Sequence, residues 1–264
     1  MIESIWGLLL IGLALSTVVM ALLWALAVRI GDASHVDVAW AMLIACCAIA
    51  YALLSDGSVA MRVLAALLSS IWGFRLGFYL LFNRVLGKEE DGRYRELRRK
   101  WGANATRNFF WFFQFQALFV VFFSLPFALM AQNGDESLSW LVWLGIAVWA
   151  IGNVGTIAAD RQLAQWRADP RNKGKTARAG LWSWSRHPNY FFEFVTWCGT
   201  ALVATAAPWG WIAWMVPAGL LYLLFKVTGI PATEAQALRS REDYAEYQRT
   251  TSVFIPLPPK KRAP

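Results

Sequence analysis

Apolar residues in this chain come in unbroken runs of about 18 to 25, separated by short turns or by long polar stretches. A run of that length, wound as an α-helix, crosses a hydrocarbon core of roughly 30 Å. Seven such spans are predicted: Trp6 to Arg29, Val36 to Leu54, Val59 to Leu86, Phe109 to Gln132, Leu138 to Ala159, Asn189 to Ala207 and Trp209 to Ile230. A tight link around Ala207-Pro208-Trp209-Gly210 joins the last two. Outside the spans lie the polar stretches 87–108, 160–188 and 231–264. The expected fold class is therefore all-α integral membrane, with residues 1–264 forming a single membrane domain of seven transmembrane helices. Each helix satisfies its own backbone hydrogen bonds, as a bilayer requires.

Composition agrees: 58% of the 264 residues are hydrophobic and 16% charged, against about 25% charged in a soluble domain. The net charge of +8 would raise nucleic acid as a partner in a soluble protein. Here the basic residues sit in the loops, and topology accounts for them. Eight Lys or Arg lie around the third loop, seven in the fifth, and seven in or just before the tail. With seven spans these groups fall on one side, with Arg62 opposite and the acidic Asp135-Glu136 loop outside. The positive-inside rule then puts the N-terminus outside and the C-terminus in the cytoplasm. The first run is too long for a signal-peptide core and lacks a charged leader segment, so it reads as a retained helix. Cys46, Cys47 and Cys198 have no metal-ligand spacing and read as buried free thiols, so no metal is expected.

Charged and polar side chains within or beside the spans are the candidates for chemistry, since each charge costs roughly 2.5 to 3.5 kcal/mol at mid-membrane. Arg75, Tyr79 and Asn83 stand i, i+4, i+8 in the third span, with Trp72 one turn earlier: a polar stripe expected to face the bundle interior. Asp37 opens the second span on the same side. It either pairs with Arg75 or lines a pocket with it. Asn153, Thr156, Asp160 and Arg167 fall near one face of the fifth helix as it leaves the membrane. Asp160 can accept hydrogen bonds from ribose hydroxyls, and Arg167 can hold a phosphate in its planar fork. The plainer reading is a solvated helix end.

In Ser185-Arg186-His187-Pro188-Asn189-Tyr190, Pro188 suits the first turn of a helix, and the amides of that turn, with Arg186 and His187, form a phosphate site. Asn189 and Glu193 are i, i+4 and project into the span, where the carboxylate needs a partner. The tail segment Glu242 to Arg249 is polar, aromatic and expected to be helical. It is either a cytoplasmic lid over a ligand or a surface helix at the headgroups, with Lys260-Lys261-Arg262 touching anionic lipid. No glycine-rich Rossmann fingerprint is present.

The run Arg186-His187-Pro188-Asn189-Tyr190-Phe191-Phe192-Glu193, followed by Trp197 and Gly199, resembles the C-terminal signature of the steroid 5-alpha-reductase superfamily. The resemblance is nearest to its bacterial branch, long catalogued as a domain of unknown function. Val36-Asp37-Val38-Ala39-Trp40, Arg75-Leu76 through Asn83-Arg84, Glu90-Asp91-Gly92-Arg93-Tyr94 and the tail from Glu242 to Pro256 also resemble that branch. The similarity covers about residues 36–256. It implies a seven-helix oxidoreductase that uses NADPH to saturate a carbon–carbon double bond conjugated to a ketone, with steroid 3-oxo-4-enes as the type substrate.

Carried over residue by residue, it places Asp37 near the family's ketone-polarising acid. It puts Trp72 where the family has a tyrosine, and Tyr79, two turns along, becomes the candidate substitute. Asp160, Arg167, Asn189 and Glu193 fall on family cofactor contacts, and Arg249 aligns loosely with another. The implied layout sets adenine and phosphates among Arg167, Arg178, Arg186 and the tail with Tyr244, and the nicotinamide near Asn189 and Glu193. Arg75, Asn153 and His187 complete the expected cofactor set, and Asp37 and Tyr79 the catalytic one. Partners are a hydrophobic enone lipid and membrane lipid, with no nucleic acid and no metal. The expected location is the bacterial inner membrane, or the endoplasmic reticulum in a eukaryote.

The Arg-His-Pro-x-Tyr motif is shared with isoprenylcysteine carboxyl methyltransferases, so an S-adenosylmethionine-dependent methyltransferase is the alternative. Trp72 in the tyrosine position supports a third reading, a non-catalytic lipid-binding relative.

Overall fold

The computed structural model describes residues 4–227 and 229–260. Lys261 and Arg262, the two basic residues expected to touch lipid beside Lys260, lie outside the described residues. The first five long apolar runs each form a helix: α1 (Ile5–Ile30), α2 (His35–Leu54), α3 (Val59–Leu80), α5 (Ala105–Ala131) and α6 (Trp140–Ala168). Between α3 and α5 lies α4 (Gly92–Trp101), and after α6 come α7 (Pro188–Thr205), α8 (Met215–Tyr222), α9 (Ile230–Ser240) and α10 (Tyr244–Thr250). Among the described residues the one β contact is an isolated parallel bridge between Ser185 and Ser252.

Among the described residues, six helical stretches are long and apolar enough to cross a membrane: Ile5–Ile30, His35–Leu54, Val59–Val85, Gly92–Ala131, Trp140–Ala168 and Gly210–Ser240. Large apolar side chains such as Trp6, Leu10, Leu22, Trp111, Phe115, Trp143 and Val154 stand exposed on these helices, where hydrocarbon would cover them. The chain is an integral membrane protein. The seventh expected span, Asn189 to Ala207, is the 18-residue helix α7, which carries Asn189, Glu193, Thr196 and Thr200 among its apolar residues.

The chain divides into two units, Met1–Ser139 with Ala204–Ala213, and Trp140–Val203 with Trp214–Pro264. In the first, α2 packs against α3 and α5, and α1 against α5. Lipid tails offer no hydrophobic drive between helices, so close van der Waals packing has to supply it. Small residues permit that approach. A Cβ at Gly12 would overlap the Tyr51 hydroxyl, and one at Gly73 would lie 2.7 Å from the Ala41 carbonyl oxygen. Tyr51 then bonds to Ser124 at 3.0 Å, tying α2 to α5. Gly31, with φ 73°, ends α1 in the left-handed conformation and returns its N–H to Ala27 at 2.9 Å.

Helix α3 does not continue as a regular helix to Leu86. Residues Leu81–Val85 form a π-helical turn, which rotates the side chains beyond Leu80 out of register. Asn83 is consequently exposed, its amide donating to the Tyr79 carbonyl at 2.8 Å. The three-residue stripe expected to face inward therefore stops at Tyr79.

In the second unit α6 and α7 approach just as closely. A Cβ at Gly152 would overlap the Thr196 amide, one at Gly155 the Phe192 ring, and one at Gly199 the Trp149 backbone. Helix α6 runs nine residues past the expected end of its span at Ala159, to Ala168, so Asp160 and Arg167 are carried on regular helix. The last expected span is segmented instead into a 3-10 turn (Gly210–Trp214), α8 and a second π-helical turn (Leu223–Val227).

Candidate functional site

In the first unit Asp37 sits in the opening turn of α2. Its two oxygens accept from Arg93 Nη2 at 2.6 Å and from the Tyr94 hydroxyl at 2.7 Å. Asp91 caps α4 through the Arg93 amide at 2.9 Å and also holds the Arg93 guanidinium at 3.0 Å. The Glu90-Asp91-Gly92-Arg93-Tyr94 stretch thus folds back onto the start of α2. Ser34 Oγ accepts from the Asp91 amide at 2.8 Å, and Glu90 accepts from the Ala33 amide at 2.9 Å. With both oxygens accepting, one of them from a cation, Asp37 is built to hold these groups. Giving a proton to a ketone would require breaking that arrangement. Trp72 is buried and meets Trp40 edge-on at 6.0 Å, so its place is in the packing. Arg75 and Tyr79 are half-buried farther along α3.

In the second unit a polar line runs down α6 from Asn153 and Thr156, both buried, to half-buried Asp160 and exposed Arg167. Helix α7 adds Asn189, whose amide donates to Asp160 at 3.2 Å. One turn deeper, Glu193 accepts from the Trp197 indole at 3.1 Å. Asp160 and Asn189, singled out separately from the sequence, are thereby brought together, with Glu193 one turn along α7. At the inner end two buried polar atoms have no hydrogen-bond partner: the acceptor Asn153 Oδ1 and the donor Trp149 Nε1.

The loop before α7 is differently employed than expected. Arg186 donates through Nε to Glu234 at 2.7 Å, and through Nη1 to the carbonyls of Gln248 at 2.9 Å and Thr251 at 2.7 Å. His187 Nε2 reaches the same Glu234 at 3.1 Å, and the Gln248 amide donates to it at 2.7 Å. Three amides at the start of α7 are also engaged: His187 N to Ser185 Oγ at 3.1 Å, Tyr190 N to Asn189 Oδ1 at 3.1 Å and Phe191 N to the His187 carbonyl at 3.1 Å. Arg186 and His187 hold the tail; a phosphate would have to displace those contacts and the local bonds of the helix start.

Arg178 has a similar part. It donates to the Asp243 carbonyl at 2.6 Å and to Glu246 at 3.2 Å, and lies over the Tyr247 ring at 5.6 Å. Tyr247 donates its hydroxyl to the carbonyls of Trp182 and Ser185. Burial pushes the Asp243 carboxyl up, but bonds from the Thr176 hydroxyl and amide, with Arg178 nearby, outweigh it and hold the group below its ordinary value. Tail helices α9 and α10 therefore dock on residues 176–187, with Tyr244 buried and Arg249 exposed at the end of α10. Glu234, the centre of this clamp, escaped the sequence reading. Its partners Arg186, His187 and Gln248 lie 48, 47 and 14 residues away, and no local spacing signals them.

A family model described as "Protein of unknown function (DUF1295)" matches residues 23–251. The chain belongs to this family. Among curated proteins this DUF1295 chain is 25% identical to an uncharacterized protein of Schizosaccharomyces pombe, over 93% of the chain and 79% of that protein. It is also 29% identical to the 3-oxo-5-alpha-steroid 4-dehydrogenase 1 of Mus musculus, over 43% of the chain and 41% of that enzyme. The Bos taurus enzyme of the same name gives 31%, over 43% of the chain and 40% of the enzyme. The chain thus spans about two-fifths of the curated dehydrogenases it matches. No solved structure matches it. These relationships make it a distant relative of the steroid 5-alpha-reductases.

Proposed function

We propose that this chain is a membrane-embedded oxidoreductase that uses NADPH to saturate the conjugated double bond of a hydrophobic enone, a steroid or related lipid. The observation that carries the reading is the polar line of Asp160, Asn189 and Glu193 sunk into α6 and α7, in a chain related to 3-oxo-5-alpha-steroid 4-dehydrogenases. Its inner end carries unmatched polar atoms. Leaving a buried donor or acceptor unmatched costs about 1–3 kcal/mol, and Asn153 Oδ1 and Trp149 Nε1 are one of each. A group carrying both an acceptor and a donor, as a carboxamide does, matches that pair.

NADPH, when bound, supplies the hydride. The residues of the chain position and bind. Asn189 fixes Asp160 to accept from ribose hydroxyls, Trp197 fixes Glu193, and Arg167 offers its planar fork to phosphate at the outer end. Arg178, Arg186, His187 and Tyr244 serve by docking the tail on the same unit. The assignment of Asp37 and Tyr79 to the ketone is a separate part of the proposal. It requires Asp37 to exchange its bonds to Arg93 and Tyr94 for the ketone, and Arg75 lies on the same helix as Tyr79.

Topology follows the charge distribution: seven crossings with α7 as the seventh, the N-terminus outside, and the basic loops and tail in the cytoplasm. The bacterial inner membrane is the compartment we assign.

The test uses purified protein with NADPH and a steroid 3-oxo-4-ene, following by mass spectrometry a product heavier by two hydrogens. Wild type is expected to form it, and Glu193→Ala and Asp37→Asn to lose about a hundredfold or more of that rate. Full turnover in both variants would remove the site assignment. No NADPH consumption with any enone would remove the reductase reading itself.

A further inference from the structure

Beyond α10 the chain runs back over the turn that precedes α7, and its backbone fixes it there as a strap. The Arg186 N–H donates to the Ser252 carbonyl at 2.8 Å, the Ser185 hydroxyl to the Phe254 carbonyl at 2.8 Å, and the Leu257 N–H to the Trp184 carbonyl at 3.0 Å. The Lys260 N–H closes the far end on the Thr250 carbonyl at 2.8 Å. Phe254 is buried and meets Phe191, Phe194 and Phe225 edge-on, with ring centroids 5.6, 5.9 and 5.3 Å away. Its neighbours are left uncovered: Ile255 is 57% exposed, Leu257 53%, and Trp184 beside them 48%. Leu181, Trp184 and Pro256 share one open groove, which Gln162 and Ser183 also line.

Unlike the exposed apolar residues of the long helices, these three lie outside any apolar run, so a spanning helix does not account for them. A cluster of large apolar side chains left open in this way marks a contact surface. Its level along α6 identifies the partner. The turn Gly180–Ser183, which ends just before Trp184, is fastened to α6 by Trp182 Nε1, donating to the Ala159 carbonyl at 2.9 Å, and by the Leu181 N–H, donating to Gln162 at 2.9 Å. Those two residues bracket the point where α6 passes from apolar to charged: Ile151 and Val154 stand exposed before it, and Asp160 and Arg161 follow Ala159. Hydrocarbon gives way to headgroups at such a step, and tryptophan favours that layer. Arg161 on α6, Lys226 in the second π-helical turn and Lys260 on the strap are exposed cations of these same elements, a charge that suits the phosphates of anionic lipid.

We propose that Trp184, Ile255 and Leu257 form an interfacial anchor, seated on phospholipid about 5–10 Å into the boundary between headgroups and acyl chains. The tail is then held twice, by the polar clamp at Glu234 and by lipid under the strap. A second copy of the chain is a poorer occupant, because a stable protein interface takes about 20–30 residues a side and this surface offers three large side chains and the rim of one groove. The anchor also relocates an expectation. Glu242 to Arg249, a candidate for the headgroup layer, docks on protein through Tyr244 and Tyr247, and the lipid contact passes to the strap that follows it. The inference is independent of the reductase reading.

The experiment places a photoreactive side chain in the full-length protein as Ile255→p-benzoylphenylalanine, and separately as Leu257→p-benzoylphenylalanine, each at a position already exposed. The protein is reconstituted in vesicles of phosphatidylcholine and phosphatidylglycerol, irradiated, and read by intact-protein mass spectrometry. Lys173→p-benzoylphenylalanine is the control, since α6 continues from Asp160 to Ala168, about 12 Å at 1.5 Å per residue, before the exposed Lys173 turn. Positions 255 and 257 should each gain the mass of one phospholipid, and position 173 should not. Equal lipid adducts at all three positions, or none at 255 and 257, would overturn the anchor. A doubled protein mass at 255 or 257 in place of a lipid adduct would make the surface a contact between copies and overturn it as well.

Discussion

Removing the Glu234 carboxylate should release the tail. Arg186 and Glu234 side chains are 12% and 13% exposed, and Glu234 binds Arg186 at 2.7 Å, His187 at 3.1 Å and Gln248 at 2.7 Å. Taking one partner from a buried pair leaves an uncompensated charge and costs about 3–5 kcal/mol. Arg186 keeps its two bonds to the Gln248 and Thr251 carbonyls, which places Glu234→Ala near the lower end, about 3 kcal/mol. The loss falls on local opening of α9 and α10. At about 1.4 kcal/mol per tenfold, amide exchange over Tyr244–Thr250 should accelerate about a hundredfold in the native protein. Hydrogen exchange read by mass spectrometry measures it. In Arg186→Met/Glu234→Leu the cost should be well below the sum of the single changes, because no charge is left stranded. Exchange within about threefold of wild type in Glu234→Ala, or additive costs in the double variant, would refute the clamp.

Gly152→Val should lower the thermal midpoint in detergent by an amount equivalent to about 1–3 kcal/mol or more, since its side chain would overlap the Thr196 amide across the α6–α7 contact; an unchanged midpoint would contradict that packing. The Asp243 carboxyl lies below its ordinary value of 3.8 in the folded protein. Its contribution is therefore complete at neutral pH and lost as pH falls through the folded value. Pepsin cleavage of the tail should rise below about pH 3.8 more steeply in wild type than in Asp243→Asn, and an identical profile in the two would count against this contact.

The long helices were legible because a bilayer leaves little freedom: apolar runs of spanning length must be helical. Residues along one helix or across one turn were legible for the same reason, and Asn153, Thr156, Asp160 and Arg167 do follow one face of α6. The π-helical turns were not, because no residue type or spacing in Leu81–Val85 or Leu223–Val227 marks an i to i+5 turn, and Asn83 was misplaced as a result. Partner choice was the least legible level. Asp37, Arg178 and Arg186 were visible as costly charges, but what each meets is 56, 65 or 48 residues away. A basic residue beside a helix start looks the same whether it waits for phosphate or clamps a tail. Only the Glu234 and Gln248 contacts separate the two.

The central claim is that the second unit holds a nicotinamide dinucleotide. Thermal unfolding of the purified protein in detergent, with NADPH or S-adenosylmethionine titrated over the same range, tests it most directly. Binding to the folded state alone stabilises by about 2.7 kcal/mol at a hundred times the Kd. The midpoint should climb with NADPH and stay unchanged with S-adenosylmethionine. A midpoint that climbs with S-adenosylmethionine and ignores NADPH would contradict it.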